Sequence, residues 1–340
     1  MISCQGASCI TTFADFLCSK IAPALRHAIY EKTALDIARD MKVKIPDFRG
    51  NRSTLETCML KYLAEEENFE NFKHYLNFPG EFLNNYIKTK TYCLGENRRL
   101  EMFLRESLTR YYENIQSAVF ASTRVVKDRK DRNDKISLWL DEFCRALGDM
   151  LSLPRSDLKG IEHQEITDIE FLNNAMTEAL SPLIDDLRKE FPHTILAEQF
   201  AGCQSMCPFC GAVCTNTMPN HDGDHRVVFH RPQVLTGYRW HKTDNLIIDI
   251  CSSCVSSDIY FMTGEYRWFQ YKRYRDAGHP CSTWNIPPDP SMQAYWKWFV
   301  SYFRTQLEQY YNGKFHGRGE IPASWKTVTK QNALTELEKY

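Results

Sequence analysis

No stretch of this sequence reaches the roughly 18 uncharged apolar residues that a membrane-spanning helix requires. The nearest runs, around Leu246–Cys254 and Trp298–Phe303, fall well short. No membrane partner is expected. The N-terminus, MISCQGASCITTFADFLCSK, lacks a basic start and a continuous apolar region, and Asp15 interrupts its mildly apolar stretch, so it does not read as a signal peptide. An excess of one charge is missing too: 42 Lys and Arg stand against 43 Asp and Glu. That balance removes the global electrostatic reason to expect nucleic acid or an anionic membrane as the main partner.

Catalytic signatures are also missing. Without a Gly-x4-Gly-Lys-Ser/Thr loop there is no phosphate cradle for ATP or GTP, and no bound nucleotide is expected. There is no Gly-x-Ser-x-Gly elbow, no His-Glu-x-x-His, and no His-x-Glu followed by Cys-x-x-Cys. The basic, glycine-rich Gly313–Gly319 segment, GKFHGRG, has neither the spacing nor a preceding strand and reads as a turn. The expectation is a chain with no catalytic residue, not an enzyme.

Cysteine is not scarce. Thirteen cysteines in a secreted protein would suggest disulfides, but the number is odd, the chain is 340 residues long and no export signal is visible. Reduced thiols in a cytoplasmic or nuclear setting follow.

Composition shifts near position 195. The first 195 residues hold one of seven tryptophans, six of fifteen glycines and six of fourteen prolines, although they form the longer part. Apolar residues there recur at helical spacing: Phe13, Leu17, Ile21 and Leu25, with Pro23 expected to kink or split their helix; Leu55, Met59, Tyr62 and Leu63 after a Ser53/Glu56 capping box; Leu100 to Val119; Trp139, Phe143 and Leu147; and a last stripe from Phe171 to Leu187. Arg124–Lys135 carries nine charged residues of mixed sign and reads as a solvated connector. After 195, β-prone runs at Val227–Phe229, Leu246–Ile250 and Ile259–Met262 alternate with turns. A helix through Trp296–Tyr310, capped by Asp289 or Ser291, and a final one over Lys330–Leu337 follow. The predicted fold is mainly α: an all-α helical bundle over 1–195, then a smaller α+β zinc-binding domain with C-terminal helices over 196–340.

The chemistry concentrates in Cys207-x2-Cys210-x3-Cys214-x6-His221-x3-His225, with Cys203 four residues before and His230 five after. Zinc takes four sulfur or nitrogen ligands in a tetrahedron, and Cys-Pro-Phe-Cys-Gly makes a tight knuckle whose sulfurs can face one ion. Cys207 and Cys210 form the first pair, and His225 and His230 are assigned to complete the shell. Cys203, Cys214 and His221 are alternates. A zinc ribbon closed by Cys251 and Cys254 is a second arrangement, and two metals shared between both sets a third. Pro219 and Gly223 argue against a DNA-reading helix around the histidines. The ligand order does not fit a RING. Asp222 or Asp224 could be offered as a general base, but surplus thiolates argue for a closed structural site. A basic and aromatic patch of Arg226, Arg231, Arg239 and Lys242 beside Tyr238, Trp240 and His241 is the alternative for nucleic acid, read as ordinary surface.

The stretch CPFCGAVCTNTMPNHDGDHRVVFHRPQ, then Gly237-Tyr-Arg-Trp-His241, Tyr295-Trp-Lys-Trp-Phe299 and Gly319-Glu-Ile-Pro322 before Trp325, resembles the C-terminal region of the interferon-induced very large GTPases. Ala34–Ala38, Asn51–Leu55 and Leu63–Glu67 in the helical half are similar as well. The resemblance implies an interferon-linked, innate-immunity protein of cytoplasm or nucleus. It implies a helical, zinc-holding module that self-associates or binds protein partners, and a GTP-binding domain lying upstream of this region. The family pattern also favours the 207–230 ligands with Cys251 over Cys254.

Overall fold

The structure is a computed structural model that describes residues 2–93, 97–128, 135–148, 151, 174–182, 186 and 193–339. It divides into two compact units, 1–39 with 90–196, and 40–89 with 197–340.

The first unit is helical. Helix α1 (Ile2–Lys44) supplies Phe13, Leu17, Ile21 and Leu25; α5 (Asn97–Asp128) supplies Leu104, Leu108, Ile115 and Val119; α6 (Lys135–Leu147) supplies Trp139, Phe143 and Leu147. Each set repeats every three or four residues, so each helix buries one stripe. Trp139 stacks on Phe143 with ring centroids 5.0 Å apart and meets Phe13 edge-on at 6.2 Å, while its indole N–H donates to the Thr123 hydroxyl at 3.2 Å. Pro23 does not split α1, which continues through it. Ile21 and Leu25 on either side are buried, and that packing offsets the roughly 3 kcal/mol a mid-helix proline costs. Of the Phe171–Leu187 stripe, Ala175, Met176 and Leu180 are buried, and most of its other positions lie outside the described residues. The Arg124–Lys135 connector lies partly outside them too; α5 runs on to Asp128.

In the second unit α2 (Arg52–Glu66), α3 (Phe69–Asn77) and α4 (Pro79–Cys93) gather with the Cys/His-rich segment, although composition reads residues 40–89 with the helical half. Aromatic packing is the cause: Phe48 meets Phe200 at 4.7 Å, and Phe72 meets Phe299 and Phe303 at 4.5 and 5.2 Å. The Ser53/Glu56 capping box is not formed. Asn51 caps α2 instead, its side chain accepting from the Thr54 amide at 3.1 Å, because Glu56 is committed to a buried ion cluster. Asn51→Ala should cost about 1 kcal/mol, the usual value of an N-cap, read as a small fall in urea midpoint with zinc content unchanged.

Only one expected strand forms as such. β1 (Tyr260–Met262) pairs antiparallel with β2 (Trp268–Gln270), whereas 227–229 and 246–250 are irregular. Their backbone groups are satisfied singly, through bridges such as Pro232↔Ile250 and Arg239↔Leu246, because the chain bends repeatedly to present ligands. The expected Trp296–Tyr310 helix is two, α7 (Ala294–Tyr302) and α8 (Arg304–Tyr310), broken at Phe303. Gln293 occupies the N-cap of α7 without a side-chain bond, and Asp289 turns its carboxylate onto Ser291 instead. The last helix spans Lys330–Leu337 as its pattern indicates, with Thr329 and Asn332 forming a capping box. Among the described residues, no helix is long and apolar enough to cross a membrane.

Candidate metal centres

The Cys207-Pro-Phe-Cys-Gly knuckle closes on itself through Gly211 N–H to Cys207 O at 2.9 Å and Cys207 N–H to Ala212 O at 2.8 Å. Gly211 sits at φ +66°, a left-handed turn that suits glycine and leaves both sulfurs on one side. Cys251 arrives from the start of a one-turn helix, Cys251–Cys254, and His230 from the bend before Pro232. The result is a buried quartet of Cys207, Cys210, His230 and Cys251.

Its spacing matches a tetrahedral zinc shell. Bond lengths of about 2.3 Å to sulfur and 2.0–2.1 Å to nitrogen give S···S edges of about 3.8 Å and S···N edges of about 3.6 Å. The Cys207 and Cys251 sulfurs are 3.8 Å apart and His230 Nδ1 lies 3.4 Å from Cys210 Sγ, close to those edges, while its 2.9 Å to Cys251 Sγ is shorter than one. Burial pushes the Cys207 and Cys251 thiols well above their ordinary range. Burial acts the same way on Cys210, but hydrogen bonds from Cys207, Cys251 and His230 outweigh it and hold that thiol well below. Burial thus favours neutral thiols at Cys207 and Cys251, hydrogen bonding favours a thiolate at Cys210, and a bound cation would offset the desolvation and hold all three as thiolates.

A second quartet, Cys203, Cys214, His221 and His225, lies beside the same knuckle. Gly202, at φ +58°, passes so close to the Asn216 carbonyl that a Cβ would lie 2.4 Å from it, and Cys203 N–H donates to that same oxygen. His225 is fixed by its amide to Thr283 O at 2.8 Å, and the loop between the histidines by the bidentate Arg275–Asp224 pair at 2.7 and 2.8 Å. Cys203 Sγ is 3.5 Å from His225 Nδ1, Cys214 Sγ 3.6 Å from His221 Nε2, and the two imidazole nitrogens 3.1 Å apart. His221 turns its other nitrogen to the Asp222 carbonyl at 3.2 Å, the kind of outer contact that orients a metal-binding imidazole. Both cysteines are buried and both histidines half-buried.

The fold thus brings Cys207, Cys210 and His230 together, and it sets His225 with the other quartet. Cys251 joins the buried group; Cys203, Cys214 and His221 join His225. Cys254 goes to neither: its sulfur accepts from Gln233 Nε2 at 3.4 Å, and burial pushes its thiol up to about 11. Cys281 is buried apart from both quartets. Asp224 is occupied by Arg275, whose hydrogen bonds hold the carboxylate below its usual range.

Of the basic patch, Arg231 is 2% exposed and does not face solvent. Its guanidinium donates to Glu56 at 3.1 Å and to the Tyr75 hydroxyl at 2.5 Å and lies 4.6 Å from the Tyr75 ring centre. Tyr75 donates to the same carboxylate, and Arg52 reaches its other oxygen at 2.9 Å. Arg226, Arg239 and Lys242 are exposed. This ion cluster anchors the residue following His230, and no local motif announces it.

The knuckle, both quartets and the C-terminal helices fall inside residues 203–337, which match the profile of the interferon-induced very large GTPase 1 C-terminal domain. The whole chain is similar to interferon-induced very large GTPase 1 of Mus musculus, 45% identical over 99% of its length, and of Homo sapiens, 44% identical over 99%. The chain is similar to the C-terminal region of the interferon-induced very large GTPase family. It spans 14% of the length of these relatives. No solved structure matches it. The match to the very large GTPases runs through their C-terminal domain, and the phosphate-binding loop of a GTPase is absent from this sequence.

Proposed function

We propose that this part of a very large GTPase is a non-catalytic assembly or partner-binding module, held in shape by two structural zinc ions. One observation carries the reading: two sets of four sulfur or nitrogen donors, each set with its ligand atoms within 4.8 Å of one another. Each set fills a tetrahedron with protein atoms, which leaves no open position where water or substrate could be activated. A zinc enzyme would keep such a position. The location proposed is cytoplasm or nucleus, where thiols stay reduced, and the partners are proteins or further copies of the chain.

Elemental analysis of chain purified without chelator should give two zinc ions per chain. A chelator should remove them in two phases, the first from the quartet with half-buried histidines. His225→Ala should abolish that first phase and leave the second. A stoichiometry near zero would defeat the zinc reading, and turnover of GTP by the chain above a buffer blank would defeat the non-catalytic one. Light scattering on the zinc-loaded chain, read against concentration, tests self-association.

A further inference from the structure

A cavity of about 230 Å³ opens beside the β1–β2 hairpin, lined by none of the eight quartet residues. Tyr238, Trp240, Tyr260 and Trp268 are among its walls, and Asp249 is its one acidic lining residue. The base is fixed: Tyr271 donates to Gln233 Oε1 at 2.7 Å, and Gln233 Nε2 donates to Cys254. Trp268 is 47% exposed and Tyr260 55%, so large aromatic faces stand in water at the mouth, with His241 edge-on to Trp268 at 5.0 Å. Neither quartet uses these side chains.

Aromatic walls accept either a cationic group or a planar ring. The surrounding charge decides between them. Arg239 lines the cavity, its guanidinium also donating to the Tyr311 carbonyl, and Arg318 lies 5.2 Å over the Trp240 ring, against the one lining carboxylate of Asp249, while exposed Lys242 and Asp244 of the adjoining turn offset each other. Two cations against one carboxylate disfavour an alkylammonium ligand and favour a phosphate. A carboxylate accepts two parallel N–H donors, and guanine is the nucleobase that presents two adjacent ones, at N1 and N2. We infer that this cavity binds an unpaired guanine base with its phosphate, the ring against Trp268 and Trp240, the base edge at Asp249 and the phosphate at Arg239. Such a pocket holds the base by stacking and needs no phosphate-wrapping loop, so the missing loop does not exclude it.

The test is calorimetric titration of the zinc-loaded full chain with GMP, AMP, and single-stranded uridine heptamers carrying a central guanosine or adenosine. Saturable binding of GMP would identify free nucleotide as sufficient. Binding of the guanosine heptamer alone would identify a base within a strand. Either result supports the inference, provided guanine is preferred over adenine. Trp268→Ala, a change at an exposed position, should weaken binding by roughly tenfold or more. Asp249→Asn should erase the preference for guanine while zinc content and circular dichroism stay unchanged. Absence of saturable binding by every probe, equal affinity for guanine and adenine, or an affinity untouched by Trp268→Ala would overturn it. Saturable binding of tetramethylammonium without nucleotide binding would also overturn it and show a cation cage.

Discussion

Removal of zinc, by chelator or by Cys207→Ser with Cys210→Ser, should unfold the Cys/His-rich segment of the full chain while leaving the α5 and α6 helices protected. A structural zinc contributes roughly 10–16 kcal/mol of apparent binding energy at neutral pH, against about 5–15 kcal/mol for the stability of a whole domain. The segment has little else to hold it. Between Cys203 and Trp284 regular structure amounts to a three-residue antiparallel pair and a few short helical turns. The knuckle's amides bond only across a few residues, and its core includes the ligand cysteines themselves around Phe209, Phe261 and Trp284. Without the ion, three buried thiolates lose their counter-charge and the bonds that tie their segments together.

Hydrogen exchange by mass spectrometry reads the result. Peptides over 203–286 should exchange fast, and those in 52–77 should lose part of their protection, since Arg231, next to His230, donates to Glu56 and to the Tyr75 hydroxyl. Peptides in 101–127 and 137–147, whose core contains no ligand, should keep theirs. Equal loss in both sets would refute independent support of the helical unit. Unchanged exchange throughout would show that zinc is peripheral.

The second large effect is expected at Glu56. Glu56→Gln leaves Arg52 and Arg231, both nearly fully buried, facing a neutral amide, and breaking a buried pair by removing one partner costs about 3–5 kcal/mol. Burial raises the Glu56 pKa, but Arg52, Arg231 and the Tyr75 hydroxyl outweigh it, so the folded value lies below the ordinary one. A depressed folded pKa means that this stability is fully present above the unfolded value and is lost as pH falls through the folded value. The gap in urea midpoint between wild type and Glu56→Gln should therefore be widest near neutrality and shrink in acid. Because zinc ligands also protonate in acid, the difference between the two proteins at each pH is the quantity to follow. Glu56→Gln with Arg231→Met should recover part of the loss, as neighbours in one network do not add. A single-mutant cost under about 1 kcal/mol at neutral pH would show the cluster to be no more than a surface ion pair.

Much of the helical unit is legible in the chain because helical periodicity is local: Leu104, Leu108, Ile115 and Val119 lie on one stripe whatever they pack against. The final helix is legible for the same reason. The capping box at Ser53 misleads because its two residues also fit another arrangement. Glu56 is claimed by Arg231, 175 positions away, and nothing within a turn of the chain reveals that. The strands expected at 227–229 and 246–250 fail similarly, since Val227 packs against the cysteine-rich core and Leu246 bonds to the Lys314 carbonyl and abuts Gly313 and Gly319, partners far along the chain.

The sequence by itself determined the donor chemistry, cysteine and histidine in surplus over one tetrahedron, and the knuckle that pairs Cys207 with Cys210, because a two-residue gap constrains both sulfurs. It also carries the family resemblance in its ordered blocks. Only the tertiary structure decided how the donors divide. His225 is nearer in sequence to His230 than to Cys203, yet its amide bonds to Thr283 and its ring faces the Cys203 sulfur, while Cys251 crosses from 44 residues away to the Cys207 sulfur. Spacing restricts only donors a few residues apart; partners farther along the chain are chosen by the path that the surrounding core imposes.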